Sequence, residues 1–410
     1  MNLKVLYAVR FFSSLIPAYV IERLYWEQRG MTIPMVIYAE IVYALTVVLL
    51  EVPSGVLSDR WGRKKMLVTS AILVCCEFLI LLFATEFWHF AVAVFLAGIA
   101  RSASSGSENA LLYDSLLRQG EAASFEKRLG RLNACDFVSA MLAALCGSLL
   151  AGRFGLELNY WISLGSALAA LLLTLLLVEP AVKVGEQGAK ADGGPGKADV
   201  QPVTIDVQMV GETIPFKRYI TDSLRFFRKH PGVCLVICSG MVTGTAMVYI
   251  YEFWQLYVDR LGMPLAYFGA LSAAIMLLQL PGSLLAHTLI ARFGPKTLII
   301  IVLAVQAIGF AYAAANQDYT GLAAMLVICL FAGVMEPLAS GYLHHRIDSG
   351  KRATMDSFQS LGEKLVTILA GLGFGYLSVR YDVFGGYGFM AVMCSVFLIG
   401  FIAASRKIIR

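Results

Sequence analysis

The 410-residue chain alternates long apolar runs with short polar stretches. Twelve runs stand out, at 5–25, 34–57, 66–85, 88–116, 132–153, 159–179, 232–258, 265–290, 297–315, 320–343, 360–379 and 384–405. Each is near the ~20 residues that carry a helix across a bilayer core ~30 Å thick. Backbone facing lipid must satisfy its own hydrogen bonds, so every run is predicted to be helical. The short alternating strands of a membrane barrel do not occur. The pattern predicts an all-α membrane protein of twelve transmembrane helices.

Composition sharpens this. The chain is 58% hydrophobic and 15% charged, against roughly half apolar and a quarter charged in soluble domains. Its eight cysteines all fall within apolar runs and lack zinc-ligand spacing, so they read as small buried apolar residues. No metal or other cofactor is expected. A phosphate-binding loop, a nucleophile elbow and a catalytic triad pattern are all missing, which argues against an enzyme. Of the 33 Lys and Arg residues, 25 lie at the termini or in even-numbered loops, five in odd-numbered loops or at the run ends beside them, and Arg10, Arg101 and Lys364 well within runs. This asymmetry places both termini in the cytoplasm, with the chain in the plasma (inner) membrane. Because the net charge of +5 follows topology and forms no patch, nucleic acid is not an expected partner.

Residues 181–231 form the one long polar stretch. A Gly-, Lys- and Asp-rich linker is followed by FKRYITDSLRFFRKHPG, read as a basic amphipathic helix on the cytoplasmic surface. The stretch separates an N-terminal six-helix half, 1–180, from a C-terminal one, 232–410. The halves repeat each other: Tyr19 and Glu22 fall on Tyr249 and Glu252 at an offset of 230, and Glu108 falls on Glu336 at 228. Parallel six-helix halves are a transporter architecture, with the substrate held between them near the midplane.

Gly55, Asp59, Arg60, Gly62, Arg63, Lys64 and Lys65 of GVLSDRWGRKK resemble the loop motif of the major facilitator superfamily, in the right place between spans 2 and 3. RSASSGSENALLYDSL from Arg101 is similar to that family's second motif. Span 5 carries Gly147 and Gly152 but no proline, a departure from the drug–proton antiporters. The resemblance implies a major facilitator fold with spans 1, 4, 7 and 10 lining the cavity and spans 3, 6, 9 and 12 peripheral. It also implies a conformational latch of Gly55, Asp59, Arg60, Gly62, Arg63 and Asp114, in which Arg63 pairs with Asp114 and Asp59 faces the helix near Gly362.

Ionisable groups within the bilayer are costly and mark candidate sites. With the three residues at each end set aside, the runs hold nine acids against three bases. Arg101, Ser105 and Glu108, at i, i+4 and i+7, are expected on one helix face, either lining a cavity or forming an Arg101–Glu108 pair within the helix. Glu22 and Glu252 lie beside aromatic residues, Trp254 among them, and next to Gln255. Carboxylates with aromatic walls suit cations; the alternatives are an outer gate or interfacial anchors. Glu336, followed by Pro337 and without a base on its own helix, is the expected proton carrier; the alternative is a bond to backbone freed by the proline. Asp136 and Glu363 read as helix N-terminal acids. Glu40 and Glu77 receive no role. The expected function is proton-coupled export of a small lipophilic or cationic solute by a monomer whose partners are solute, protons and membrane lipids. The alternative is import of an anionic or polar nutrient held by Arg101 or Arg10; a non-transporting membrane enzyme or receptor is the third reading.

Overall fold

A computed structural model describes residues 2–121, 124–179, 231–344 and 352–408. The linker and amphipathic helix expected before Pro231 lie outside the described residues, as does the side chain of Asp59. Helices α1 (Asn2–Ser14), α2 (Glu22–Gln28), α3 (Ile33–Trp61), α4 (Arg63–Leu82), α5 (Phe87–Ser104), α6 (Ser107–Arg118), α7 (Phe125–Phe154) and α8 (Glu157–Leu175) make the first half. The second half holds α9 (Pro231–Arg260), α10 (Phe268–Leu277), α11 (Gln279–Phe293), α12 (Pro295–Ala315), α13 (Tyr319–Ala332), α14 (Met335–His344) and α15 (Arg352–Ile408). Eleven helical stretches are long and apolar enough to cross a membrane. The last, Gln359–Arg406, spans 48 residues, about twice one crossing. It bends where Tyr381 and Asp382 leave helical geometry, Asp382 at φ 53°, and so makes two crossings. Twelve crossings result.

Spans 1 and 4 differ from expectation: both are broken. Span 1 is α1, a 3₁₀ turn at Pro17–Val20, then α2. Proline has no N–H to donate and breaks the helical ladder. The backbone groups thus freed are taken up by neighbouring spans. The Asn159 amide donates to the Pro17 carbonyl at 3.2 Å and to the Gly147 carbonyl at 2.9 Å, while the Ala18 N–H donates to Ser163 Oγ at 3.0 Å. A Cβ on Gly147 would sit 2.7 Å from the Pro17 carbonyl oxygen, so the break needs glycine on span 5. Span 4 breaks at Ser105–Gly106, where Gly106 takes φ 71°, a conformation that glycine adopts without strain. Span 10 breaks between α13 and α14 at Gly333–Val334, the repeat-equivalent place.

Within the first half, α3 packs on α5, α4 on α8, and α1 on α7 and α8; within the second, α15 packs on α12 and α9. Between halves, α3 meets α15, α7 meets α10, and α2 meets α9. Polar ties between halves gather on the face away from the termini. Arg23 pairs with Glu252, and the Arg23 N–H donates to Gln255 Oε1 at 2.9 Å. Gln255 Nε2 donates to the Tyr19 carbonyl at 2.8 Å, and Arg260 pairs with Glu27. On the same face Asp318 caps α13. Its carboxylate accepts from the Thr320 hydroxyl and from the Gly321 and Thr320 amides, which hold it below the usual carboxylate range.

Candidate functional site: a charged cavity at the junction of the halves

The larger cavity, about 600 Å³, enters the first half between spans 1, 3, 4 and 6 and reaches Glu252 of α9. Small side chains leave this room, among them Ser70 and Ala71 of α4, Ala97 and Ala100 of α5, and Ala167 and Ala170 of α8. Spans 3 and 6 therefore line the cavity, contrary to the peripheral place the resemblance implied. A second cavity of about 310 Å³ lies between spans 2, 7 and 11 and shares Glu40, Tyr43 and Glu252 with the first.

Three guanidinium groups line the larger cavity, those of Arg10, Arg23 and Arg101, together with six carboxylates, those of Glu22, Glu40, Glu77, Glu108, Asp136 and Glu252. Arg10, on α1, donates to Glu108 of α6 and to Asp136 of α7, and the Ser14 hydroxyl donates to Asp136 as well. Arg23, 3% exposed, donates through Nη2 to Glu40 at 2.6 Å and to Glu252 of the other half. Its guanidinium lies 4.7 Å from the centroid of the Trp26 ring, a favourable cation–π placement. Charge removed from water is tolerable only when paired, and each of these arginines binds two carboxylates. Arg101, Glu22 and Glu77 form no ion pair among the described residues.

Several expectations are corrected by this geometry. The break at Ser105–Gly106 removes the shared face of Arg101, Ser105 and Glu108. Arg101 and Glu108 still line the cavity, Ser105 yields its place to Ser104, and Glu108 pairs with Arg10 in place of Arg101. Trp254 is buried against Phe268, ring centroids 5.5 Å apart, and is core. Gln255 ties the halves through backbone groups and lies outside the cavity lining. Glu336 is exposed and lines neither cavity, because span 10 breaks three residues before it. Asp136 and Glu363 are not first-turn acids: α7 begins at Phe125 and α15 at Arg352, so each lies about three turns inside. Glu22 and Glu252 do line the cavity. Glu40 and Glu77, given no role by their spacing, line it too; a lone acid in an apolar run carries no signal of which way it points.

At the terminal face, Arg63 pairs with Asp114 and donates to the Ala110 carbonyl at 2.8 Å. The Glu179 carboxylate accepts from the Arg63 and Lys64 amides at 2.8 and 2.7 Å, satisfying donors that open α4. Gly62, at φ 99°, makes the turn, and a Cβ there would lie 3.2 Å from the Glu179 carboxyl. Gly55 and Arg60 are exposed along the end of α3. Glu179, the last residue of the sixth apolar run, was missed because its partners are backbone amides.

The family model described as Major Facilitator Superfamily matches residues 5–278. The chain belongs to that superfamily. It is a small-molecule transporter and a multi-pass membrane protein, not an enzyme. Among curated major facilitator proteins, the class H tetracycline resistance protein of Pasteurella multocida is 23% identical over 347 residues, 83% of this chain and 79% of the relative. The multidrug resistance protein MdtG of Serratia proteamaculans (strain 568) is 31% identical over 165 residues, 38% of each chain. Among solved structures, the nucleoside transporter NupG superposes with a TM-score of 0.74 at 13% identity, covering 98% of this chain and 99% of that one. A D-xylose–proton symporter superposes with a TM-score of 0.66 at 14% identity, covering 98% of both chains. At such identity the structural likenesses speak for the major facilitator fold alone.

Proposed function

We propose that this transporter exports a small lipophilic or cationic solute in exchange for protons, by alternating access, as a monomer in the inner membrane with both termini cytoplasmic. The observation that carries the reading is the charge balance of one cavity, six carboxylates against three guanidinium groups at the junction of the halves. Such an excess attracts cations and protons together. The names of the tetracycline and multidrug resistance relatives support the outward direction. Arg23 acts as the outer gate. It holds Glu252 of the second half and Glu40 of the first. A proton or cationic solute that takes either carboxylate weakens the tie, and the outer ends separate. Glu22 and Glu77, which no guanidinium holds, are the proton seats, since a carboxylate in a low-dielectric site must be protonated, paired or hydrated. Arg63, Asp114 and Glu179, with Asp59, form the latch that biases one access state.

The test is flux in proteoliposomes with and without an imposed pH gradient. Glu22→Gln and Glu77→Gln, each made singly, are expected to abolish gradient-driven accumulation while solute exchange continues at reduced affinity on the carboxylate that remains. If Glu336→Gln alone has that effect, the proton seat lies outside the cavity. A second reading, import of an anionic or polar nutrient, is favoured by Arg101, whose guanidinium faces the cavity without a carboxylate partner among the described residues. Accumulation of solute on the side that a proton symporter would fill selects that reading.

A further inference from the structure

Charge pairing in the larger cavity leaves a definite remainder. Arg10 and Arg23 occupy four of its six carboxylates. One guanidinium, that of Arg101, and two carboxylates, those of Glu22 and Glu77, are left without ion-pair partners among the described residues. They converge. The Tyr19 side chain is 53% exposed, lines this cavity, and lies within electrostatic reach of Glu77, Glu22, Tyr43 and Arg101. Glu77 is only 8% exposed, so its carboxylate has left bulk water and faces the cavity alone. Neither the Tyr19 nor the Tyr43 hydroxyl forms a hydrogen bond among the described residues.

Consider what each kind of solute does for this set. A purely cationic solute compensates a carboxylate and leaves Arg101 bare. A purely anionic solute compensates Arg101 and leaves both acids bare. Glu77 is buried, Glu22 half-buried and Arg101 open to the cavity, and an ionised group left unpaired within the bilayer is the costly arrangement in each case. A solute bearing both charges answers both. We infer that the cavity is built for zwitterionic solutes of drug-like size, the anionic group on Arg101 and the cationic group on Glu22 and Glu77, with Tyr19 between them. The volume fits, since cavities of roughly 300–1,000 Å³ hold drug-sized ligands. The inference rests on the cavity identified above and narrows its solute class. One carboxyl remains after such a solute binds, and it is a seat for the exchanged proton. The groups within electrostatic reach of Glu22 are Arg23, Glu40, Glu252, Tyr19 and Tyr160, and those within reach of Glu77 are Glu22, Tyr19 and Tyr43.

The test uses three xanthene dyes with one skeleton: rhodamine B, a zwitterion; its ethyl ester, a cation; and fluorescein, an anion. Binding to the detergent-purified full chain is read by fluorescence polarisation. Rhodamine B is expected to bind about tenfold or more tighter than either relative, the gain typical of one charge-assisted contact. Arg101→Gln should remove its advantage over the ester, Arg101→Lys should keep most of it, and Glu22→Gln with Glu77→Gln should remove its advantage over fluorescein. Elution as a single folded species is required of each variant, and Arg101→Lys guards against misreading a folding defect as lost recognition. Equal affinity for the three dyes, no binding of any, or an Arg101→Gln variant with unchanged preference overturns the inference. The coupling is read separately, by gradient-driven dye flux in proteoliposomes. Flux of the ester alone sinks the zwitterion and spares the exporter; tight rhodamine B binding without gradient-driven flux does the reverse.

Discussion

Arg23 holds two carboxylates from two halves with one buried guanidinium, so its removal should cost more than the loss of a contact. Two acids would be left facing each other across Glu40 and Glu252 without compensation. Breaking a buried pair from one side costs about 3–5 kcal/mol, and the part-exposed acids place the expectation for Arg23→Gln near the lower figure. A thermal melt of the detergent-purified protein should show a clear fall in Tm, and Arg23→Gln/Glu40→Gln/Glu252→Gln should recover much of it. A triple variant that melts as low as the single one would show that the tie contributes packing and not charge. Asn159, 0% exposed, makes a second residue-scale case. Asn159→Ala leaves the Pro17 and Gly147 carbonyls without their donor, at about 1–3 kcal/mol, also read as a fall in Tm.

At the scale of the element, breaks and caps decide where side chains go. Span 1 changes course at Pro17, and Arg10 and Arg23 thereby serve two separate carboxylate pairs. Helix α4 starts on the glycine turn at Gly62, with its first amides on Glu179. Glu179→Ala should destabilise that start by about 1 kcal/mol, the usual worth of an N-terminal acceptor. Gly62→Ala should do worse, because it meets both a left-handed backbone and the Glu179 carboxyl. Arg63→Ala removes the pair with Asp114 far from the cavity charges. It is expected to slow transport while dye affinity stays nearly unchanged. A large loss of equilibrium binding in a folded Arg63→Ala protein would contradict a latch.

For the whole molecule, every polar tie between halves described above lies on the face away from the termini, so opening that face requires them to part. Ser148 of α7 approaches Ala266 of the second half, Oγ to carbonyl oxygen, at 3.4 Å. In a variant lacking the eight native cysteines, Ser148→Cys with Ala266→Cys should form a crosslink under oxidant and arrest flux, with recovery on reduction. Full flux in the crosslinked protein would show that these ends need not separate. Orientation is tested in the same background: single cysteines at Gly193 and Asp318 should react with an impermeant reagent from opposite sides of the membrane.

How much of this was legible in the chain follows from what is local. Hydropathy over some twenty residues is a local property, and it determined the twelve crossings and the helical class; the repeat was read from matched residues at a near-constant offset, and the loop motif and the Arg63–Asp114 pair followed from the resemblance to a known family. Direction of a side chain is not local once helices break. Pro17 and Gly106 rotate the residues beyond them, which is why Ser105 left the expected stripe and Glu108 met Arg10 and not Arg101. Glu77 looked like an isolated acid on a peripheral span. It became a cavity group only because small residues on spans 3, 4 and 6 left space around it. Glu336 looked like the twin of Glu108, yet the two halves do not pack their equivalent acids alike. The sequence by itself determined that charges would be placed within the membrane; tertiary packing alone decided which of them are paired and which face the solute, because pairing in low dielectric depends on distances that the chain sets only when its helices have met.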